Sequence, residues 1–225
     1  MDIELVVFDF DGTLCDTRSI IVATMRQTLS ELNLPERSED ECAATIGLPL
    51  KECFRQLIPQ LGDEDIQRCA DSYRRIFEVN KPQYKPVLFP KVRETLFWLY
   101  GHGIRMAVAS SRNSMSLHDL LNDLDIAGFF DYVVGADMVA HPKPDPEPVL
   151  QILKRMVVDA SRTLVVGDMD VDILMGGRAG CKTCGVTYGN GTREELEEAG
   201  ADFVIGSIGY LQTLNGDLDF QLKRI

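Results

Sequence analysis

Residues able to do chemistry recur in one kind of place along this chain, directly after short apolar runs. Leu5–Phe8 runs straight into Asp9-Phe10-Asp11, and Gly12 turns the chain at once. The run "MAVA" ends in Ser110-Ser111-Arg112-Asn113, and "DYVVGA" is followed by "HPKPDP", with Lys143 between prolines. "TLVVG" ends in Asp168, and Asp172 follows at i,i+4 spacing. If the runs are parallel strands, these residues meet in one crevice, because ligands of open parallel sheets sit beyond the carboxyl ends of the strands.

Such a crowd of carboxylates needs a cation. Asp9, Asp168 and Asp172 supply hard oxygen ligands, which suit Mg²⁺ with its other positions left to water and substrate phosphate. Asp168 and Asp172 share a face if a helix begins between them. Asp170 fits the ordinary role of an acid in a helix's first turn. Ser110, the backbone N–H groups of the next helix start and the Lys143 ammonium together make a phosphate cradle.

The elements that must position these groups can be read from periodicity. From about residue 86, helical patterns alternate with apolar runs, which predicts βαβ units: an α/β, Rossmann-like parallel sheet with helices on both faces. Continuous apolar strands fit a sheet covered on both sides. Residues 17 to 85 differ. "RSIIVATMRQTLSELNL", "LKECFRQLI" and "EDIQRCADSYRRIFEVN" carry apolar residues at helical spacing, with breaks at Pro35, Gly47-Leu48-Pro49 and Gly62. The expected organisation is a Rossmann-like core of residues 1–16 and 86–225, interrupted by an all-helical insertion, 17–85.

With 225 residues, 45% of them hydrophobic, the chain can bury a substantial core. A net charge of −12 argues against a nucleic-acid or anionic-membrane partner. No stretch has the length of a membrane span or the order of a signal peptide, so a cytoplasmic location is expected. The six cysteines are scattered, as suits reduced thiols; Cys181 and Cys184 form a C-x-x-C that is expected to be structural, with a redox or zinc role as its rival.

The motifs "DFDGTL" at 9–14, "VAS" ending at Ser110, "KPDP" at 143–146 and "GDMDVD" at 167–172 stand in an order and spacing that resembles the haloacid dehalogenase-like (HAD) superfamily, in the branch with a helical cap after the first strand. The resemblance spans essentially the whole chain. It implies a Mg²⁺-dependent phosphatase with Asp9 as nucleophile and Asp11 as general acid and base, Asp11 being kept protonated by neighbouring carboxylates and a dry site. It further implies that Asp9, the backbone carbonyl of Asp11, Asp168 and Asp172 hold the metal, and that Ser110 and Lys143, with Ser111 and Arg112 nearby, hold the substrate.

The expected partner is a small phosphorylated metabolite, with phosphoglycolate first and pyrophosphate or a sugar phosphate as alternatives; the protein itself is expected as a monomer or homodimer. A mutase of the β-phosphoglucomutase kind is disfavoured, since Ile21 stands where those enzymes resemble one another in carrying a histidine. Retained Asp9 and Asp11 speak against a non-catalytic ligand-binding protein. Arg18, Arg26, Lys51 and Arg55 are candidate cations for an anionic leaving group, and hinges are expected near Asp16-Thr17 and Lys85-Pro86.

Overall fold

The computed structural model describes residues 3–213. Six strands form one sheet: β1 (Leu5–Phe8), β4 (Arg105–Ala109), β5 (Tyr132–Val134), β6 (Thr163–Gly167), β7 (Lys182–Val186) and β8 (Phe203–Ile205). Every neighbouring pair is parallel, in the order β5-β4-β1-β6-β7-β8. The first strand is therefore central. The chain builds outward from it on one side through β4 and β5, then returns to its other side with β6. That reversal makes a topological switch point between β1 and β6, where a crevice must open because the flanking connections leave in opposite directions.

Alternate residues of the central strands feed two separate cores. Val6, Phe8, Met106, Val108, Leu164 and Val166 face one side; Leu5, Val7, Ala107, Ala109 and Val165 face the other. Helices α5 (Val92–Gly101) and α6 (Ser114–Asp123) bury Leu96, Leu99, Leu117 and Leu121 against the first face. Helices α7 (Glu147–Met156) and α8 (Asp170–Arg178) bury Val149, Ile152, Met156 and Met175 against the second. Helix α9 (Arg193–Glu198) opens on a Thr192–Glu195 capping box and connects β7 to β8.

Between β1 and β4 the chain makes an excursion. Two short strands, β2 (Cys15–Asp16) and β3 (Val87–Leu88), pair antiparallel, so the outgoing and returning chains lie side by side. The elements between them are all helices: α1 (Arg18–Glu31), α2 (Glu39–Ala43), α3 (Leu50–Leu57) and α4 (Asp63–Asn80), joined by short loops. Their apolar stripes meet through Met25, Leu29, Phe54, Ile66 and Tyr73. The strand pair falls where hinges were expected, although two residues per strand are too few to show as a period in the sequence. Helix α2 also lay hidden; its signal is the Ser38–Glu41 capping box rather than an apolar repeat.

All six cysteines are buried free thiols. Burial pushes the Cys181 and Cys184 thiols up to about 12, which favours the thiol over the nucleophilic thiolate. Among the described residues no helix is long and apolar enough to cross a membrane.

Candidate active site

The candidate groups collect at the carboxyl end of the sheet, around the switch point. Asp9 follows β1 and continues its pairing with β6, its N–H donating to the Val166 carbonyl at 2.9 Å. Asp168 follows β6, and Asp172 lies in the first turn of α8, which begins between the two as expected. Oxygens of Asp9, Asp168 and Asp172 approach within 4.8 Å of one another, and all three residues are buried. Lys143 reaches in from the loop before α7 and donates to Asp9 at 2.5 Å and to Asp172 at 2.6 Å.

Three buried carboxylates against one ammonium leave the cluster two charges negative when all are ionised. This donor set fits a hard divalent cation: oxygen only, convergent, and short of positive charge. Burial pushes the Asp9 carboxyl well above the usual range; Lys143 opposes the shift, and Asp172 and Asp168 add to it. Burial, and then Asp172, push Asp168 from 3.8 up to about 7, while hydrogen bonds from Asn190 and Thr13 resist. Burial alone would lower the Lys143 ammonium, but Asp172 and Asp9 outweigh it and hold it well above its ordinary value.

A raised carboxyl means that the folded, metal-free protein binds a proton more tightly than the unfolded chain does. Stability from Asp168 is thus fully present below pH 3.8 and is lost as pH rises through about 7. A divalent cation bound there would relieve the same repulsion and compete with the proton. Mg²⁺ is therefore expected to raise the melting temperature more at pH 8 than at pH 5. Thermal melts with chelator and with Mg²⁺ at both values check this; equal increments would contradict it.

Asp168 and Asp172 are fixed by further hydrogen bonds. Thr13 donates to Asp168 Oδ1 at 3.0 Å, and the Asn190 backbone N–H and side-chain amide donate to Oδ2 at 2.7 and 3.1 Å. Asp172 accepts from the Met169 N–H at 3.1 Å. Gly12 is required twice over: its φ of +87° is left-handed, and a Cβ there would stand 2.1 Å from an Asp168 oxygen. Thr13 and Asn190 escaped the sequence reading. Asn190 sits in "YGNGT", beyond β7, so applying the strand-end rule to that strand as well would have found it.

Asp11, expected among the carboxylates, turns instead onto Arg112. The guanidinium donates through Nε at 2.8 Å to Oδ2 and through Nη2 at 2.8 Å to Oδ1, a bidentate pair, and Thr17 donates to Oδ1 at 2.6 Å. The physical reason is reach: Arg112 follows β4, the neighbour of β1, on the side away from β6. The Phe77 ring of α4 packs on the guanidinium at 4.8 Å. Ser110 is buried at the same edge, and its hydroxyl accepts from the Arg112 N–H at 3.2 Å. Ser111 lines the same edge with its hydroxyl engaged, donating to the Gly47 carbonyl in the helical segment at 2.6 Å. Asn113 caps α6 by accepting from the Ser116 N–H.

In front of Asp9, Asp11 and Ser110 lies a cavity of about 310 Å³, roofed by the helical segment. Of the cations expected there from the sequence, Arg112 lines it and Arg18, Arg26, Lys51 and Arg55 do not. Arg18 and Arg26 pair with Asp40 and Glu39 over another groove, Arg55 pairs with Glu52 and Asp63, and Lys51 is exposed. Each of the three arginines is balanced by an acid of the helical segment itself.

Residues 6–186 match the family model described as haloacid dehalogenase-like hydrolase. The chain is 40% identical over 203 residues to the protein named probable phosphatase IndB of Dickeya dadantii, covering 89% of this chain and 88% of that one. It is 33% identical to a phosphoglycolate phosphatase of Aquifex aeolicus, covering 83% and 85%. Its fold superposes on the crystal structure of a haloacid dehalogenase-like hydrolase from Bacteroides fragilis with a TM-score of 0.86 and 29% identity, covering 93% of this chain and 99% of that one. Sheet order, strand-end carboxylates and similarity over most of the length agree, and the chain belongs to the haloacid dehalogenase-like hydrolases.

Proposed function

We propose that the protein is a Mg²⁺-dependent phosphatase that hydrolyses a small phosphorylated metabolite through a phosphoryl group carried on Asp9. The observation that carries this reading is the Asp9 carboxylate held by Lys143 beside Asp168 and Asp172, at the floor of a cavity. A carboxylate attacks phosphorus only when its own charge and that of the phosphate are offset. Lys143 supplies one positive charge to both. Mg²⁺, held by Asp9, Asp168, Asp172 and the Asp11 carbonyl, would supply the rest.

In the first displacement an Asp9 oxygen bonds to phosphorus, the ester P–O bond breaks, and Asp11 gives the leaving oxygen its proton. In the second, water attacks phosphorus, Asp11 takes its proton, and Asp9 and free phosphate are regenerated. Ser110 and Lys143 hold the phosphoryl oxygens throughout, and Ser111 and Arg112 border them. Asp11 can serve as acid and base only once Arg112 releases it, so the pair must open as substrate enters.

We read residues 17–85 as a cap domain that keeps water from the core formed by 1–16 and 86–225. Its contacts with the core include Ser111 to Gly47 and Arg112 to Phe77. Structures with and without a phosphate mimic should differ in the relation of the two parts, hinged at the β2–β3 pair; superposable structures would refute the cap's motion.

Phosphate release from a generic aryl phosphate tests the reaction. Excess chelator should stop it and added Mg²⁺ should restore it, whereas turnover that persists in chelator would overturn the metal assignment. Phosphoglycolate and pyrophosphate place a second anion beside the scissile bond, and Arg112 and Arg74 are the cations that line this cavity.

A further inference from the structure

The cavity before Asp9 has two unlike halves. Its floor is polar, made of Asp9, Asp11, Ser110 and Arg112. Its roof is Ile21 and Met25 of α1, Ile46, Leu50 of α3, and Tyr73 and Phe77 of α4. All six are apolar or aromatic, and all but Leu50 are buried in the fold. At the mouth, Met115 is 74% exposed and extends the same apolar surface outward. The volume lies at the lower end of the roughly 300–1,000 Å³ of small-molecule sites.

A leaving group that carried a carboxylate or a second phosphate would face this roof. Such a group gives up its water only for cations or hydrogen-bond donors. The lining offers two cations; besides Ser110 of the floor, its hydroxyl and amide donors are Ser111, Asn113 and Ser116 on the core side and the Tyr73 hydroxyl alone in the roof. Arg112 belongs to the polar floor: it holds both oxygens of Asp11 beside Phe77, and once it releases Asp11 it borders the scissile phosphate rather than the roof. Arg74 stands at the exposed rim, paired with Asp71. Two further lining groups at the rim, Glu78 and Asp119, are exposed acids and would repel an anion. An apolar ring, by contrast, would exchange water for the side chains of Ile21, Met25 and Phe77.

Resting on the phosphatase reading above, we infer that the alcohol released by this enzyme carries an apolar or aromatic body rather than a second anionic group. The roof residues set that preference, and Phe77 acts twice, as a wall of the cavity and as the lid on Arg112. The scissile phosphate lies on the Lys143 side, and the apolar body lies under α1 and α4.

The test compares kcat/KM of the Mg²⁺-loaded full chain for 2-phenylethyl phosphate, ethyl phosphate, phosphoglycolate and pyrophosphate, with an aryl phosphate as the reference for the chemistry. The first three leave as alkoxides, so differences among them report mainly on the cavity. We expect 2-phenylethyl phosphate to exceed both ethyl phosphate and phosphoglycolate by at least about tenfold, in line with what apolar contacts discriminate. Phe77→Ala should shrink its advantage over ethyl phosphate at least about threefold. The wild-type ratios stand as a test even if that variant does not fold. Phosphoglycolate or pyrophosphate turned over as well as or better than 2-phenylethyl phosphate would overturn the inference and leave the phosphatase reading intact. No phosphate release from any compound, the aryl phosphate included, would overturn the phosphatase reading and this inference with it.

Discussion

Replacing Asp9 by asparagine is expected to lower turnover by roughly 10³-fold or more, as loss of a covalent nucleophile does. Asparagine keeps the shape of the side chain and can still accept from Lys143, but its amide oxygen does not displace an alcohol from phosphorus. The loss should not come from unfolding. Burial pushes the Asp9 carboxyl up, so its ionised form works against the folded state, and stability from this group declines as pH rises. Removing the charge removes that cost. In chelator at pH 8 the Asp9→Asn protein should therefore melt at or above the wild-type temperature. A variant that kept wild-type turnover would show that Asp9 is not the nucleophile.

Lys143→Ala should be the second most damaging change, with turnover down by at least ~10²-fold, because the ammonium offsets charge on both nucleophile and phosphate. It also differs from Asp9→Asn in stability. Lys143 is bonded to Asp9 and Asp172, both buried, and breaking a buried ion pair by removing one partner costs about 3–5 kcal/mol. The three carboxylates left behind should then hold a divalent cation more tightly than in the wild type. Melting in chelator, melting in Mg²⁺ and a metal titration separate these effects. Weakened metal binding in a folded Lys143→Ala protein would contradict the view that Lys143 and the cation compete for the same negative charge.

What the sequence makes legible follows from topology. Strand ends in a parallel sheet converge, so Asp9, Ser110, Lys143, Asp168 and Asp172 could be assigned to one site without knowing any distance. The start of α8 between Asp168 and Asp172 meets the condition under which their i,i+4 spacing puts both on one face. Pairings between loops were not legible. Arg112 and Asp11 lie 101 residues apart, and nothing local to either marks the other as its partner. Arginine side chains in the helical segment looked equally available, and only the fold shows that Arg18, Arg26 and Arg55 are already balanced by acids. The apolar roof is invisible for a different reason: Ile21 and Met25 sit at helical spacing, and a residue lining a cavity has the same pattern as one filling a core.

The most direct test of the mechanism is whether Asp9 itself carries phosphate during turnover. The wild-type enzyme, with Mg²⁺ and an excess of a substrate it hydrolyses, would be quenched in acid within one turnover and reduced with borohydride. Borohydride converts an acyl phosphate to an alcohol and leaves a free carboxylate alone. Peptide mass spectrometry should then find homoserine at position 9, dependent on substrate and absent from Asp9→Asn. Reduction at a different residue, or phosphate release over a full turnover with every carboxylate intact, would contradict the covalent route and leave Asp9 no more than a metal ligand.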